Sequence, residues 1–110
     1  MRLVEIVDPV RKIILHWPIE AKQEFGAILL RLQSGGAIGM PDVRAMPTVG
    51  KGVQEIRVKT KEGSYRAFYV LSDQTKILVF HAFTKKRQQT PRNEIETARL
   101  RLDLYFRNRP

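Results

Sequence analysis

The sequence predicts an α+β domain: an N-terminal strand and two helices, then a three-strand antiparallel meander and a C-terminal helix. Three observations carry this. Asp8-Pro9 and Thr90-Pro91 are helix-start signals, each an N-cap residue followed by a proline at the first helical position. Three apolar runs rich in β-branched and aromatic residues follow one another after residue 52, separated only by short turn-forming segments. Gly and Pro crowd residues 35–52 and divide the helical part from the strands. The helices are expected together on one face of a mainly antiparallel sheet.

The elements follow in order. "RLVEIV" at residues 2–7 alternates as a short strand does. "VRKIILHW" is a short helix with Asp8 as its cap, stopped before Pro18. "PIEAKQEFGAILLRLQSGG" is a second helix. Its Phe25, Ile28, Leu29 and Leu32 form one apolar stripe, and Gly35-Gly36 ends it. Residues 35–52 read as a loop crossing the domain, anchored by Met40, Val43 and Met46. "VQEIRVKT" and "SYRAFYVL" flank Lys61-Glu62-Gly63, a hairpin turn in which Gly63 supplies a positive φ. Ser72-Asp73-Gln74-Thr75 turns the second strand into "KILVFHAF". The last helix spans about residues 91–106. Ile95, Ala98 and Leu102 lie on one side, and Leu100 and Leu104 widen the apolar arc.

A chain of 110 residues makes one domain with one modest core. No apolar run is long enough for a membrane span, and the N-terminus lacks a signal peptide's apolar stretch. The absence of cysteine removes disulfides, thiolate metal sites and thiol nucleophiles, and it fits a cytoplasmic protein. Charge is unevenly placed. Residues 1–50 hold six Lys/Arg against five Asp/Glu, whereas residues 51–110 hold fourteen against six. A nearly neutral half joined to a basic half suggests one working face for a polyanion such as RNA, DNA or an acidic protein. A soluble basic chain with no specific target is the plainer alternative.

Two-residue loops at Glu62-Gly63 and Asp73-Gln74 set an expected register. One sheet face then collects Ile56, Val58, Ala67, Tyr69, Leu71, Leu78, Phe80 and Ala82, which the helices must cover. The other collects Glu55, Arg57, Lys59, Arg66, Phe68, Val70, Ile77, Val79, His81 and Phe83. In that register Lys59 faces Arg66, and Arg66 faces His81. Like charges directly opposite one another destabilise a strand pair, and a bound anion would relieve them. Glu55 is the only carboxylate on this face, so the bland alternative pairs Arg57 and Arg66 with it. The stretch "HAFTKKRQQTPRNEIE" adds Lys85, Lys86 and Arg87 where the third meander strand leaves the sheet. Phe68 and Phe83 either stack on bases or lie beneath the last helix, the commoner fate of aromatics. His16, beside Trp17 and Pro18, reads as structural, and Glu94 and Glu96 as charges at a helix N-terminus.

These residues resemble a family. "MPDVRAMPTVGKGVQEIRVKTKEGSYRAFYVL" and "ILVFHAFTKKRQQTPRNEIETAR" look like the RelE/ParE toxin superfamily, in its HigB-type, phage-derived Gp49-like branch. The matching features are Gly52 to Arg57, Tyr65 to Tyr69, His81 to Lys86, Thr90-Pro91 and Glu94-Ile95, in that order along nearly the whole chain. The resemblance implies a RelE-like fold over residues 1–110 and a toxin that enters the ribosomal A site and cleaves mRNA without a cofactor. Its partners would be the ribosome, mRNA and a small helix-turn-helix antitoxin.

Metal-free RNA cleavage needs a base for the 2′-hydroxyl, charge to stabilise the phosphorane and an acid for the 5′-oxygen. By position, the resemblance implies that Arg57 acts from its strand and that Arg66 grips the scissile phosphate. It puts Lys85 or Lys86 as the cation at the strand exit. Lysine shifts its pKa when crowded by cations, which makes it the better base. Lys59, Phe68, Arg87 and Arg92 are the expected RNA contacts. The chain departs from RelE in having Glu55 in place of a lysine and no aromatic in "TPRNEIETA". His81, titrating near neutrality, is the substitute acid or base, against a second reading as a histidine packed under the last helix. Within the same superfamily, ParE-type members inhibit DNA gyrase, and a non-enzymatic nucleic-acid-binding module is a further alternative.

Overall fold

The computed structural model describes residues 1–86 and 89–108. Five strands form one sheet in the order β1-β5-β4-β3-β2. β1 (Leu3–Ile6) lies at one edge, parallel to β5 (Lys76–Lys85), and the other pairings are antiparallel. α1 (Asp8–Leu15) and α2 (Ile19–Gln33) pack on one face. α3 (Arg92–Arg107) packs on the other. The expectation of helices gathered on a single face is therefore corrected: each sheet face has its own apolar layer to bury. Among the described residues no helix is long and apolar enough to cross a membrane.

The first core lies between α1, α2 and the sheet. Val10, Ala21, Phe25, Ile28 and Leu32 meet Ile56, Val58, Ala67 and Tyr69 there. Trp17, which follows α1, is wedged between Phe25 and Tyr65 at ring distances of 5.7 and 5.3 Å. The second core lies under α3, where Ala98 is fully buried against Phe68, Leu78, Phe80 and Phe83. Ile95, Leu102 and Tyr105 pack around it. Leu100 and Leu104 instead point to solvent, because they follow a different stripe of the helix.

The helix ends differ from expectation in detail. Val7 caps α1, so Asp8 sits inside the first turn, where its charge still meets the positive end of the helix dipole. Pro91 caps α3, and neither helix has a side-chain cap. α2 ends as the sequence predicts: Gly35 takes φ +84°, a left-handed value that glycine tolerates, and Gly36 donates back to Arg31 at 3.2 Å.

Residues 35–52 hide a short edge strand, β2 (Val43–Ala45), paired with β3 (Gln54–Thr60). Val43 and Met46 anchor the segment, but Met40 is exposed and bonds Arg57 through its sulfur at 3.4 Å.

The β3–β4 turn is Lys61-Glu62, with Thr60 opposite Gly63, the first residue of β4 (Gly63–Ser72). Gly63 has no positive φ; Asp73 and Gln74 of the next turn do. Arg57, not Lys59, consequently faces Arg66. That slip of two residues along β3 preserves both faces.

The β4–β5 turn has three residues, with Ser72 opposite Lys76. One extra residue reverses the first part of β5, so Ile77 and Val79 enter the first core while Leu78 and Phe80 enter the second. A β-bulge then follows, with Tyr69 opposite Val79 but Phe68 opposite His81. It restores the expected phase, returning Ala82 to the first core and Phe83 to the second. Arg66 consequently faces Phe83 and not His81.

Candidate active site

The sheet brings cations from four adjacent strands to one place. Arg57 on β3 lies directly opposite Arg66 on β4. Arg44 on β2 lies opposite Glu55 on β3, and Lys85 ends β5 opposite Ser64. Period-two alternation turns Glu55, Arg57 and Arg66 to the same face. Glu55 is 1% exposed, and one of its oxygens, Oε1, lies 3.7 Å from the Nε of both Arg57 and Arg66. That separation gives ionic attraction without a hydrogen bond. Among the described residues, Glu55 Oε2, Arg57 Nε and Arg66 Nε are buried and have no hydrogen-bond partner. Buried polar atoms are normally satisfied, so this concentration of open valences makes the cluster the candidate site.

The electrostatics agree. Burial pushes the Glu55 carboxyl above its ordinary pKa, although Arg66, Arg57, Lys85 and Arg44 all pull it down. Burial lowers Arg66 below the usual guanidinium value, with Glu55 opposing and with Arg57 and Arg44 adding to the shift. Lys85 is lowered by burial first, then by Arg66, with Glu55 opposing and Arg57 and Arg44 contributing. Four cations thus compete for one carboxylate, and an anion of higher charge density would satisfy them better.

Beside the cluster lies a cleft of about 310 Å³, where β2 stops and leaves the end of β3 uncovered. Arg57, Lys59, Ser64 and Arg66 line it together with Pro41 and the two carboxylates of Glu24 and Asp42. Lys59 is exposed there, and Lys86 is exposed just past Lys85.

Other expected site residues lie elsewhere. His81 is 3% exposed beneath α3, with Nε2 2.8 Å from Glu94 and Nδ1 2.8 Å from Arg101. Its ring stacks on Phe68 at 5.6 Å. It is packed beneath the last helix, the second of the two readings its sequence position allows, and away from the Arg57–Arg66 cluster. Phe68 is fully buried and presents no ring to RNA, because α3 covers it. Arg92 projects into solvent at the start of α3, within 3.9 Å of Glu96, and lines a separate cleft. Arg87 lies outside the described residues.

Sequence reasoning missed Arg44, which stands between two prolines in what reads as a loop. The signal was the alternation of buried Val43 with Arg44, but three residues are too few to show a period. It also left Glu55 as a surface partner, whereas the carboxylate is the buried centre of the cluster.

The fold is that of RelE. The chain is similar to the isolated RelE toxin of E. coli in crystal form P21, at 14% identity and a TM-score of 0.54, covering 81% of this chain and 89% of that one. It is likewise similar to a chain of the intact E. coli RelBE toxin–antitoxin complex, at 14% identity and a TM-score of 0.51, covering 79% and 100%. The phage-derived Gp49-like description (DUF891) matches residues 12–103, and the chain belongs to that family. No curated protein matches it.

Proposed function

We propose that the protein is the toxin of a type II toxin–antitoxin system and an endoribonuclease that cleaves mRNA on the ribosome in the cytoplasm. The observation that carries this reading is the convergence of Arg44, Arg57, Arg66 and Lys85 on one buried carboxylate with open donors around it. Such a cluster suits a phosphodiester, whose charge rises as it becomes a phosphorane.

Each residue then has a role. Arg57 and Arg66 donate to the non-bridging oxygens of the scissile phosphate. Glu55 is a positioning residue, holding the two guanidiniums from below. Lys85 is the base: its lowered pKa raises the fraction of neutral amine at working pH. The 2′-hydroxyl gives its proton to that amine, and the 2′-oxygen forms a bond to phosphorus. The bond from phosphorus to the 5′-oxygen breaks, and Lys86 supplies the proton this oxygen takes up. The products are a 2′,3′-cyclic phosphate and a 5′-hydroxyl. Lys59 and Arg87 hold flanking phosphates.

A partner antitoxin of helix-turn-helix type is part of the proposal, supported by the likeness to a toxin crystallised with its antitoxin. The test is induction in a bacterial host followed by pulse-labelling. Loss of protein synthesis within minutes is expected. A DNA damage response with translation intact would overturn the proposal in favour of a gyrase inhibitor.

A further inference from the structure

β4 outruns its neighbour at the end of the sheet away from the cationic cluster. The last pairing with β3 sets Gln54 opposite Tyr69, yet β4 continues to Ser72. β3 does not follow, because Gly52 takes φ +78° and the chain around it turns to the second core, where Val49 and Val53 are buried. Ser72 points its carbonyl into the β4–β5 turn, where Thr75 donates to it at 3.2 Å. Strand alternation then aims the N–H and C=O of Leu71 the other way, into the space that β3 vacates. Among the described residues no backbone hydrogen bond joins Leu71 to the flanking loops. An unpaired stretch of strand edge is a template for another chain.

That space is a cleft of about 680 Å³, lined by Gly36 and Ile38 after α2 and by Lys51 before β3. Tyr69 opens into it. The residue is 4% exposed, and its hydroxyl has no hydrogen-bond partner among the described residues. A phenol buried to that degree ordinarily has one. Burial raises the Tyr69 pKa and the charge of Arg2 opposes it, which sets the guanidinium near the ring. Arg2 is itself held in place, its Nε on the Gln74 carbonyl at 3.2 Å and its Nη1 on that of Leu32 at 3.0 Å. No carboxylate lines this cleft among the described residues.

We propose that the cleft is a second binding site, taking an extended acidic segment of a partner protein as a short strand along Leu71, with a carboxylate held by Tyr69, Arg2 and Lys51. The main-chain edge pairs with polypeptide, the cations select acidic side chains, and Ile38 offers an apolar wall without an aromatic face for a base. Leu71 lies five residues beyond Arg66 on β4, a distance of about 17 Å. Tyr69 faces the first core, whereas Arg66 shares the face of Phe68. A segment seated here leaves the Arg57–Arg66 cluster open, whatever reaction that cluster performs.

The experiment follows the amide NMR signals of the full chain while a capped pentapeptide of alternating Val and Glu is added. Signals of residues 35–38, 51–54 and 69–71 should move together, and those of Arg57 and Arg66 should not. Tyr69→Phe and Lys51→Gln should each weaken the peptide roughly three- to tenfold, the worth of one hydrogen bond or exposed ion pair. N-methylation of the central Val, which blocks edge pairing, should abolish binding. Unmoved signals in the cleft, unchanged affinity in both variants, or equal binding of a Val-Lys pentapeptide overturns the proposal. The same signals moving with an RNA hexamer would give the cleft to nucleic acid, and their moving with protein concentration alone would give it to a second copy of this chain. Either result also overturns it.

Discussion

Arg101 Nη1 lies 2.8 Å from His81 Nδ1. A guanidinium can only donate, so Nδ1 must carry a lone pair. The proton of the neutral imidazole is then on Nε2, which donates to Glu94 at 2.8 Å. One neutral ring thus joins two points of α3, seven residues apart, to the sheet beneath. A second proton on His81 would set an N–H against Arg101.

This fixes a pH dependence. Burial lowers the His81 pKa below its ordinary 6.5, with Arg101 adding to the shift and Glu94 opposing it. Below about that pH the unfolded chain binds a proton that the folded chain refuses. Stability from this group is therefore complete above roughly pH 7 and falls as the solution is acidified through 6.5. Thermal unfolding across pH 5 to 8 should show a Tm that drops on the acid side. His81→Gln should flatten that limb, and an identical limb in the variant would refute the assignment.

The Glu55–Arg66 contact should behave as a functional pair and not as a stabilising one. Burial dominates the shifts of both groups, so the attraction does not recover their desolvation. Glu55→Leu alone leaves a buried guanidinium without its counter-ion and should cost roughly 3–5 kcal/mol in urea unfolding. Adding Arg66→Met should return stability to wild type, or exceed it by about 1–4 kcal/mol, with activity lost. Additive losses in the double variant would count against this.

In the proposed mechanism Lys85, as the base, sets the alkaline behaviour. The cleavage rate should climb with pH and level off below lysine's ordinary 10.5, where the crowded amine becomes neutral. Lys85→Met should lower the rate roughly 10²–10⁴-fold. Lys85→Arg, permanently charged, should keep RNA affinity and lose the rate together with its pH dependence. Near-normal cleavage by Lys85→Arg would remove Lys85 from proton transfer.

The far end of α3 has its own polar anchor. Tyr105 donates to Glu5 at 2.8 Å, and Lys76 donates to Glu5 at 3.0 Å and to Tyr105 at 3.2 Å. Tyr105→Phe should quicken amide hydrogen exchange in the last two turns of α3 while exchange in β3 and β4 stays unchanged. Uniform protection in the variant would show that apolar packing alone seats the helix.

Much of this arrangement is legible in the residues, for reasons that also explain the failures. The faces of β3 and β4 follow from period two, and the register error was even, so Arg57 and Arg66 still fall on one face. The error at the next turn was odd. It inverted Ile77 to Phe80, and only the bulge between Phe68 and Tyr69, which has no local signature, put His81 and Phe83 back. β2 escaped notice because a strand of three residues between prolines has no period to read. Burial of Glu55, and Arg101 reaching His81 across twenty residues, depend on tertiary packing that no window of sequence contains.

The most direct measurement is end-mapping of cellular mRNA after induction of the wild-type chain and of Arg66→Met, each verified as folded. The wild type should generate fragments with 5′-hydroxyl and 2′,3′-cyclic phosphate ends, and Arg66→Met should generate none. Intact mRNA in the wild type, or undiminished cutting by Arg66→Met, would contradict a phosphodiester-cleaving site built on the Arg57–Arg66 pair.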